Sequence, residues 1–122
     1  MKRLGDAEYE VMEALWTAKD PVKIDYIMEN LKRQNTWQRA SVMTILSRLG
    51  KKGFVYCDRT TRRNLYSALI PAEKYKVAQC KKLLKNYYDD SLAQMVRAML
   101  REKELTFEDI GKLKDLINEI GD

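Results

Sequence analysis

Hydroxyls, a thioether and cations recur at helical spacing between Arg39 and Lys51. Placing successive residues 100° apart puts Ala40, Thr44, Ser47 and Lys51 on one meridian, with Met43 and Arg48 at its flanks and Ser41 near its start. Val42, Ile45, Leu46 and Leu49 fall on the opposite side and face a core. The chemistry open to the polar face is that of a nucleic-acid groove. Ser41 and Thr44 can donate or accept at base edges or phosphates, Ala40 and Met43 can contact thymine methyls, and Arg48, Lys51 and Lys52 can neutralise phosphates. Arg39 projects toward the apolar side on this wheel, where it either swings out to a phosphate or serves packing. That leaves no bidentate guanine reader in the first two turns of the exposed face. A second cationic group, Arg59, Arg62 and Arg63, follows within the polar stretch from Asp58 to Asn64.

Charge is distributed unevenly along the 122 residues, whose net charge is +5. Residues 1–30 carry four Lys and Arg against seven Asp and Glu, residues 31–70 carry nine against Asp58 alone, and residues 71–122 carry ten of each. The middle block therefore suits either a polyanion or a solvated basic face, and its position on the fold decides between them. Histidine is absent, which removes the commonest general base and metal ligand. Cys57 and Cys80 belong to no CxxC or CxC pair, and no phosphate-cradling glycine loop or GxSxG is present. No enzyme chemistry, cofactor or metal is expected. Two lone thiols suit a reducing cytoplasm. No apolar run approaches the roughly 18 residues that span a bilayer, and the start from Met1 to Asp6 lacks a signal peptide's apolar stretch. The expectation is a cytoplasmic protein without membrane insertion.

The elements that must position these groups follow from periodicity. Asp6 can cap a first helix with Leu4, Val11, Met12, Leu15 and Trp16 on one side, ending near Ala18. Asp20-Pro21 breaks it, and Ile24, Ile27, Met28 and Leu31 predict a second helix ending near Gln34, with a polar joint at Asn35-Thr36. Trp37 is expected to close the corner before the third helix as a hydrophobic lid. That helix ends at Lys51-Lys52-Gly53, a cationic turn followed by a glycine C-cap. Phe54 to Cys57 and Leu65 to Leu69 then read as a β-hairpin with a basic tip. Three helices and a hairpin make the winged helix-turn-helix order, in which the third helix enters the major groove and the hairpin tip lies over the backbone. The basic block coincides with both, which favours duplex DNA over a solvated face.

Beyond Pro71, Tyr75, Val77, Leu84, Tyr87 and Tyr88 predict a long helix to about Asp90, where Asp89-Asp90 reads as a helix terminus. Leu92, Met95, Val96 and Met99 give an i, i+3, i+4, i+7 stripe, and Thr106 with Asp109 forms a capping-box signal before Ile110, Leu113, Leu116, Ile117 and Ile120. So many apolar stripes exceed what some fifty residues can bury alone. The expected division is a winged-helix domain over 1–70 and a helical dimerisation domain over 71–122, the fold being mainly α with a small β-hairpin. Leu84, Tyr88 and the two later stripes would form the homodimer interface; packing of these helices onto the first domain in one monomeric core is the alternative.

Asp6-Ala7-Glu8-Tyr9-Glu10-Val11-Met12 with Leu15-Trp16, then Trp37, Thr44 to Leu49, Lys51-Lys52-Gly53-Phe54, Tyr66-Ser67 and Leu105 to Ile117 together resemble the penicillinase-repressor family of bacterial winged-helix repressors. The resemblance covers nearly the whole chain. It implies a homodimer that binds a palindromic DNA operator and blocks transcription, often of β-lactam resistance genes, until a membrane sensor-protease pathway cuts the repressor in its C-terminal region. The family's cleaved bond, typically Asn-Phe, corresponds to Ala98-Met99 here. Arg39-Ala40-Ser41-Val42-Met43 stands where the family usually has Pro-Lys-Thr, a branched residue and a basic one, so Ser41 and Thr44 carry over and the operator is expected to differ. The CxC pairs of copper-responsive members have no counterpart. The competing class is a winged-helix adaptor that binds another protein and no operator.

Overall fold

A computed structural model of the chain describes residues 1–33 and 36–121. The elements run α1 (Asp6–Trp16), α2 (Ile24–Glu29), α3 (Arg39–Lys51), β1 (Val55–Asp58), β2 (Leu65–Ala68), α4 (Ala72–Tyr87), α5 (Leu92–Arg101) and α6 (Phe107–Ile120). They fall into two compact units, Met1–Gln79 and Cys80–Asp122. This is the mainly helical, hairpin-bearing fold expected from the sequence.

In the first unit, α1 begins one residue earlier than its acidic side chain suggests. Gly5 is the N-cap, Asp6 is already helical, and the Glu8 carboxylate accepts the Gly5 N–H at 2.9 Å. α2 is shorter than its apolar stripe. It stops at Glu29, where Asn30 takes the C-cap and donates its Nδ2 to the Tyr26 carbonyl at 2.8 Å. A side-chain amide thus takes a bond that the next helical N–H would have made. Leu31, the last apolar position of that stripe, is buried all the same. The expected helix end near Gln34 and the joint at Asn35 lie outside the described residues.

α3 buries Val42, Ile45, Leu46 and Leu49, the four positions its spacing singles out. Each such side chain removed from water contributes about 1.5–3 kcal/mol. Its end is a Schellman motif. Gly53 adopts φ +83°, the Gly53 N–H bonds the Gly50 carbonyl at 3.1 Å, and the Phe54 N–H bonds that of Leu49 at 2.9 Å. Only glycine enters that backbone region without penalty, and the turn delivers Phe54 into the core and Val55 into β1.

β1 and β2 pair antiparallel with Cys57 opposite Tyr66, and the Leu69 N–H closes the base on the Phe54 carbonyl. Val22 makes an unforeseen third rung, exchanging both backbone bonds with Tyr66 at 2.9 and 2.7 Å. The link between α1 and α2 is thereby stitched to the hairpin.

Tyr75, the fourth residue of α4, also belongs to this unit. Its hydroxyl accepts the Leu4 N–H at 2.7 Å, and its ring lies about 6 Å from those of Tyr9, Trp16 and Phe54. Trp16 Nε1 donates to the Ile70 carbonyl at 2.9 Å, which fixes the chain leading into α4.

The second unit has well-formed helix ends and little interior. Ser91 caps α5 by accepting the Gln94 N–H at 3.1 Å. Thr106 and Asp109 exchange bonds of 3.0 Å in each direction, the capping box that the sequence signals. No residue of α5 or α6 is buried.

Candidate nucleic-acid interface

The polar face of α3 is open to solvent. Ala40, Ser41, Met43, Thr44, Ser47, Arg48 and Lys51 are all exposed, while the core face alternates with them as the wheel requires. The Thr44 hydroxyl donates to the Ala40 carbonyl one turn back at 3.0 Å, so its oxygen lone pairs and its methyl remain for a partner.

A groove of about 510 Å³ separates α3 from the hairpin. Met43, Ser47 and Lys51 line it from the helix, and Tyr56, Cys57, Arg59 and Asn64 from the wing. A second groove of about 260 Å³, toward α2, is lined by Lys23, Ile24 and Asp25 with Arg39, Met43, Arg63, Asn64 and Tyr66. The two grooves therefore gather Arg39, Met43, Ser47, Lys51, Arg59 and Arg63 around the helix, with Met43, Asn64 and Tyr66 lining both. Ala40, Ser41, Thr44 and Arg48 lie on α3 outside the grooves, and Arg62 is exposed in the wing loop.

Two cations stand differently from the wheel's expectation. Arg39 does not face the core: it is exposed, and its Nη1 and Nη2 both donate to Asp25 Oδ1 at 2.6 Å. As the first residue of α3 it sits beside α2, where a carboxylate captures it. Lys52 is withdrawn from the polar face, its Nζ lying 2.9 and 2.7 Å from the two carboxylate oxygens of Glu8. Glu8 is the one charged residue buried among the described residues. The Lys52 hydrogen bond holds its carboxyl below the usual glutamate value, against a burial effect in the opposite direction. In the wing, the Thr60 hydroxyl and N–H both donate to Asp58 and hold that carboxyl low as well. The loop is thus pinned at its first turn.

Trp37 occupies the corner it was expected to close. Half-buried against the core, it donates its Nε1 to Glu10, whose carboxylate also accepts Arg33 Nε at 2.8 Å. Asp25, Asn64 and Tyr56 are among the groove residues that periodicity did not assign to the interface. Asp25 lies on an acidic segment, and the other two carry no charge signal.

In the second unit, Leu92, Leu113, Leu116, Ile117 and Ile120 are exposed, and Leu84, Tyr88, Met95, Val96, Met99 and Ile110 are half-buried. Phe107, at the start of α6, is 94% exposed. Ala98 and Met99 lie inside α5, so a protease would meet their peptide bond in helical form. No described helix is long and apolar enough to cross a membrane.

The sequence profile described as Penicillinase repressor matches residues 4–119. The chain belongs to the penicillinase-repressor family. It is 27% identical to the penicillinase repressor of Bacillus licheniformis over 117 residues, 96% of this chain and 91% of that protein. It is 24% identical to the methicillin resistance regulatory protein MecI of Staphylococcus aureus, over 94% of this chain and 93% of that one. Among solved structures it resembles the monomeric form of B. licheniformis BlaI in complex with the blaP half-operator. That match has a TM-score of 0.50 and 28% identity, covering 61% of this chain and 89% of the other. Family members of these names are transcriptional repressors, and the fold matched is a winged helix.

Proposed function

We propose that the protein is a sequence-specific DNA-binding transcriptional repressor that acts as a homodimer on an inverted-repeat operator. The observation that carries this is the open face of α3 flanked by the wing: hydroxyl and methyl groups at its centre, cations at its rim, and a packed core directly behind. An α-helix of this width fits the major groove of B-DNA. Ala40, Ser41, Met43, Thr44 and Ser47 would meet base edges; Arg39, Arg48, Lys51, Arg59, Arg62 and Arg63 would meet phosphates. The structural relative in complex with its half-operator supports DNA as the partner. Names of the relatives support antibiotic-resistance genes as the class of target.

The dimer reading is supported by the exposed apolar side chains of α5 and α6. A soluble helix presenting Leu113, Leu116, Ile117 and Ile120 to water is a surface awaiting a partner, and a C2 dimer satisfies every copy at once. Release by a sensor-linked protease at Ala98-Met99 would require α5 to unwind locally, because a protease binds its substrate extended.

Selection of duplexes from a random pool tests the function. Enrichment of an inverted repeat, with half-sites separated by a multiple of about 10–10.5 base pairs, is the expected result. Recovery of unenriched sequence at every round would refute it.

A further inference from the structure

Arg39, at the start of α3, and Arg63, in the wing, converge on one carboxylate. Arg39 holds Asp25 Oδ1 with two 2.6 Å bonds, and Arg63 Nη1 lies 3.2 Å from Oδ2. The two arginines are 24 positions apart, yet α2 supplies a single anion between them. All three side chains remain about half exposed, at 54%, 65% and 44% for Arg39, Arg63 and Asp25. They line the groove between α2, α3 and the wing.

We propose that Arg39 and Arg63 form one phosphate-binding fork, and that Asp25 occupies it in the free protein as a stand-in for a DNA phosphate, making Asp25 a specificity-determining residue. The inference rests on the DNA-binding reading above. Guanidinium groups donate to carboxylate and phosphate oxygens with the same geometry, so a site that holds one anion fits the other. Exposed ion pairs are weak, so a phosphate delivered in register displaces the carboxylate readily. Register is supplied by base contacts along α3. A duplex without the matching bases brings its phosphates at no fixed position and meets a fork already neutralised in part. Asp25 thereby subtracts from the sequence-independent electrostatic term, which supplies essentially all non-specific binding, more than from the operator complex.

The experiment compares the parent, Asp25→Asn, and Asp20→Asn, which makes the same charge change at an exposed position with no ion pair in the groove. Affinity is measured against salt for two probes: a random-sequence duplex, and the duplex that the parent selects from a random pool. Asp25→Asn should tighten the random duplex roughly three- to tenfold and steepen its slope of log K against log salt by about 0.9, one phosphate. It should move the selected duplex less, so the specificity ratio falls. Adding Arg39→Ala and Arg63→Ala should erase the gain. Equal gains on both probes, an unchanged slope, or the same gain from Asp20→Asn would overturn the role of Asp25 while leaving DNA binding intact. If the parent binds neither probe, the DNA-binding reading falls first and takes the fork with it. Circular dichroism of each variant keeps the comparison among folded proteins.

Discussion

The two units solve opposite problems. Met1–Gln79 encloses a core in which Val11, Met12, Ile27, Val42 and Leu49 are fully inaccessible, and it leaves a polar, cationic face outside. In Cys80–Asp122 the helix ends are capped or closed by turns, yet no side chain of α5 or α6 is fully buried, and Ile117 and Ile120 stand 64% and 75% exposed. Regular local structure is therefore not the same as a completed interior. The first unit has the burial to hold itself together. The second has local hydrogen bonding and leaves apolar side chains of α5 and α6 exposed.

Reversing one side chain in each unit gives the largest contrast. Ile45→Asp places a charge in the first core and should cost at least about 4 kcal/mol, enough to unfold that unit. Ile117→Asp on α6 should leave the melting of the first unit unchanged and shift the protein to monomer in sedimentation. A folded Ile45→Asp, or a dimeric Ile117→Asp, would break the contrast.

Truncation tests where the first interior ends. A fragment stopping at Ile70 lacks the Tyr75 ring, and loss of a buried aromatic costs about 3–5 kcal/mol. A fragment of residues 1–79 keeps it. The longer fragment should melt cooperatively as a monomer and the shorter one at a much lower temperature; equal melting would place Tyr75 outside the core's energetics.

A smaller effect concerns the buried charge. Lys52→Ala leaves the Glu8 carboxylate without its cation and should cost about 1–3 kcal/mol at neutral pH. Because pairing lowers the folded-state pKa of Glu8, its stabilisation is present above the ordinary value of 4.5 and is lost as pH falls through the lower folded value. The gap in Tm between parent and variant should therefore close on acidification below that range. A gap constant from pH 7 to 3 would exclude the pair as its source.

The two units also differ in sign at their left-handed helix ends. Gly53→Ala in the first, at φ +83°, should destabilise by about 1 kcal/mol although no atom crowds the added methyl. Lys103, at φ 59° after α5, occupies the equivalent position without glycine. Lys103→Gly should stabilise the second unit by about 0.5–1 kcal/mol. Urea titrations of both variants check the signs.

Periodicity carried most of this architecture, because the residues that set it are neighbours along one helix. The stripe of α3, the glycine after it and the Thr106–Asp109 capping box act over three to seven residues, and each is found where its spacing put it. The features that escaped join distant positions. Val22 pairs with Tyr66, Tyr75 reaches Leu4, Lys52 turns to Glu8, and Asp25 draws Arg39 and Arg63 together. A helical wheel assigns Arg39 and Lys52 a direction from their own helix alone. Which carboxylate waits there is set by the packing of α1 and α2 against α3.

Thr44→Asp tests the central claim, that the open face of α3 reads DNA. Thr44 is exposed and lies away from Val42, Ile45 and Leu46, and its hydroxyl donates to the Ala40 carbonyl of its own helix. Binding to the duplex selected by the parent would be measured beside thermal melting. The account predicts Tm close to the parent's and affinity lower by roughly a hundredfold or more, from the lost groove contacts and the added negative charge. A variant that retains the parent's affinity while remaining folded would contradict it.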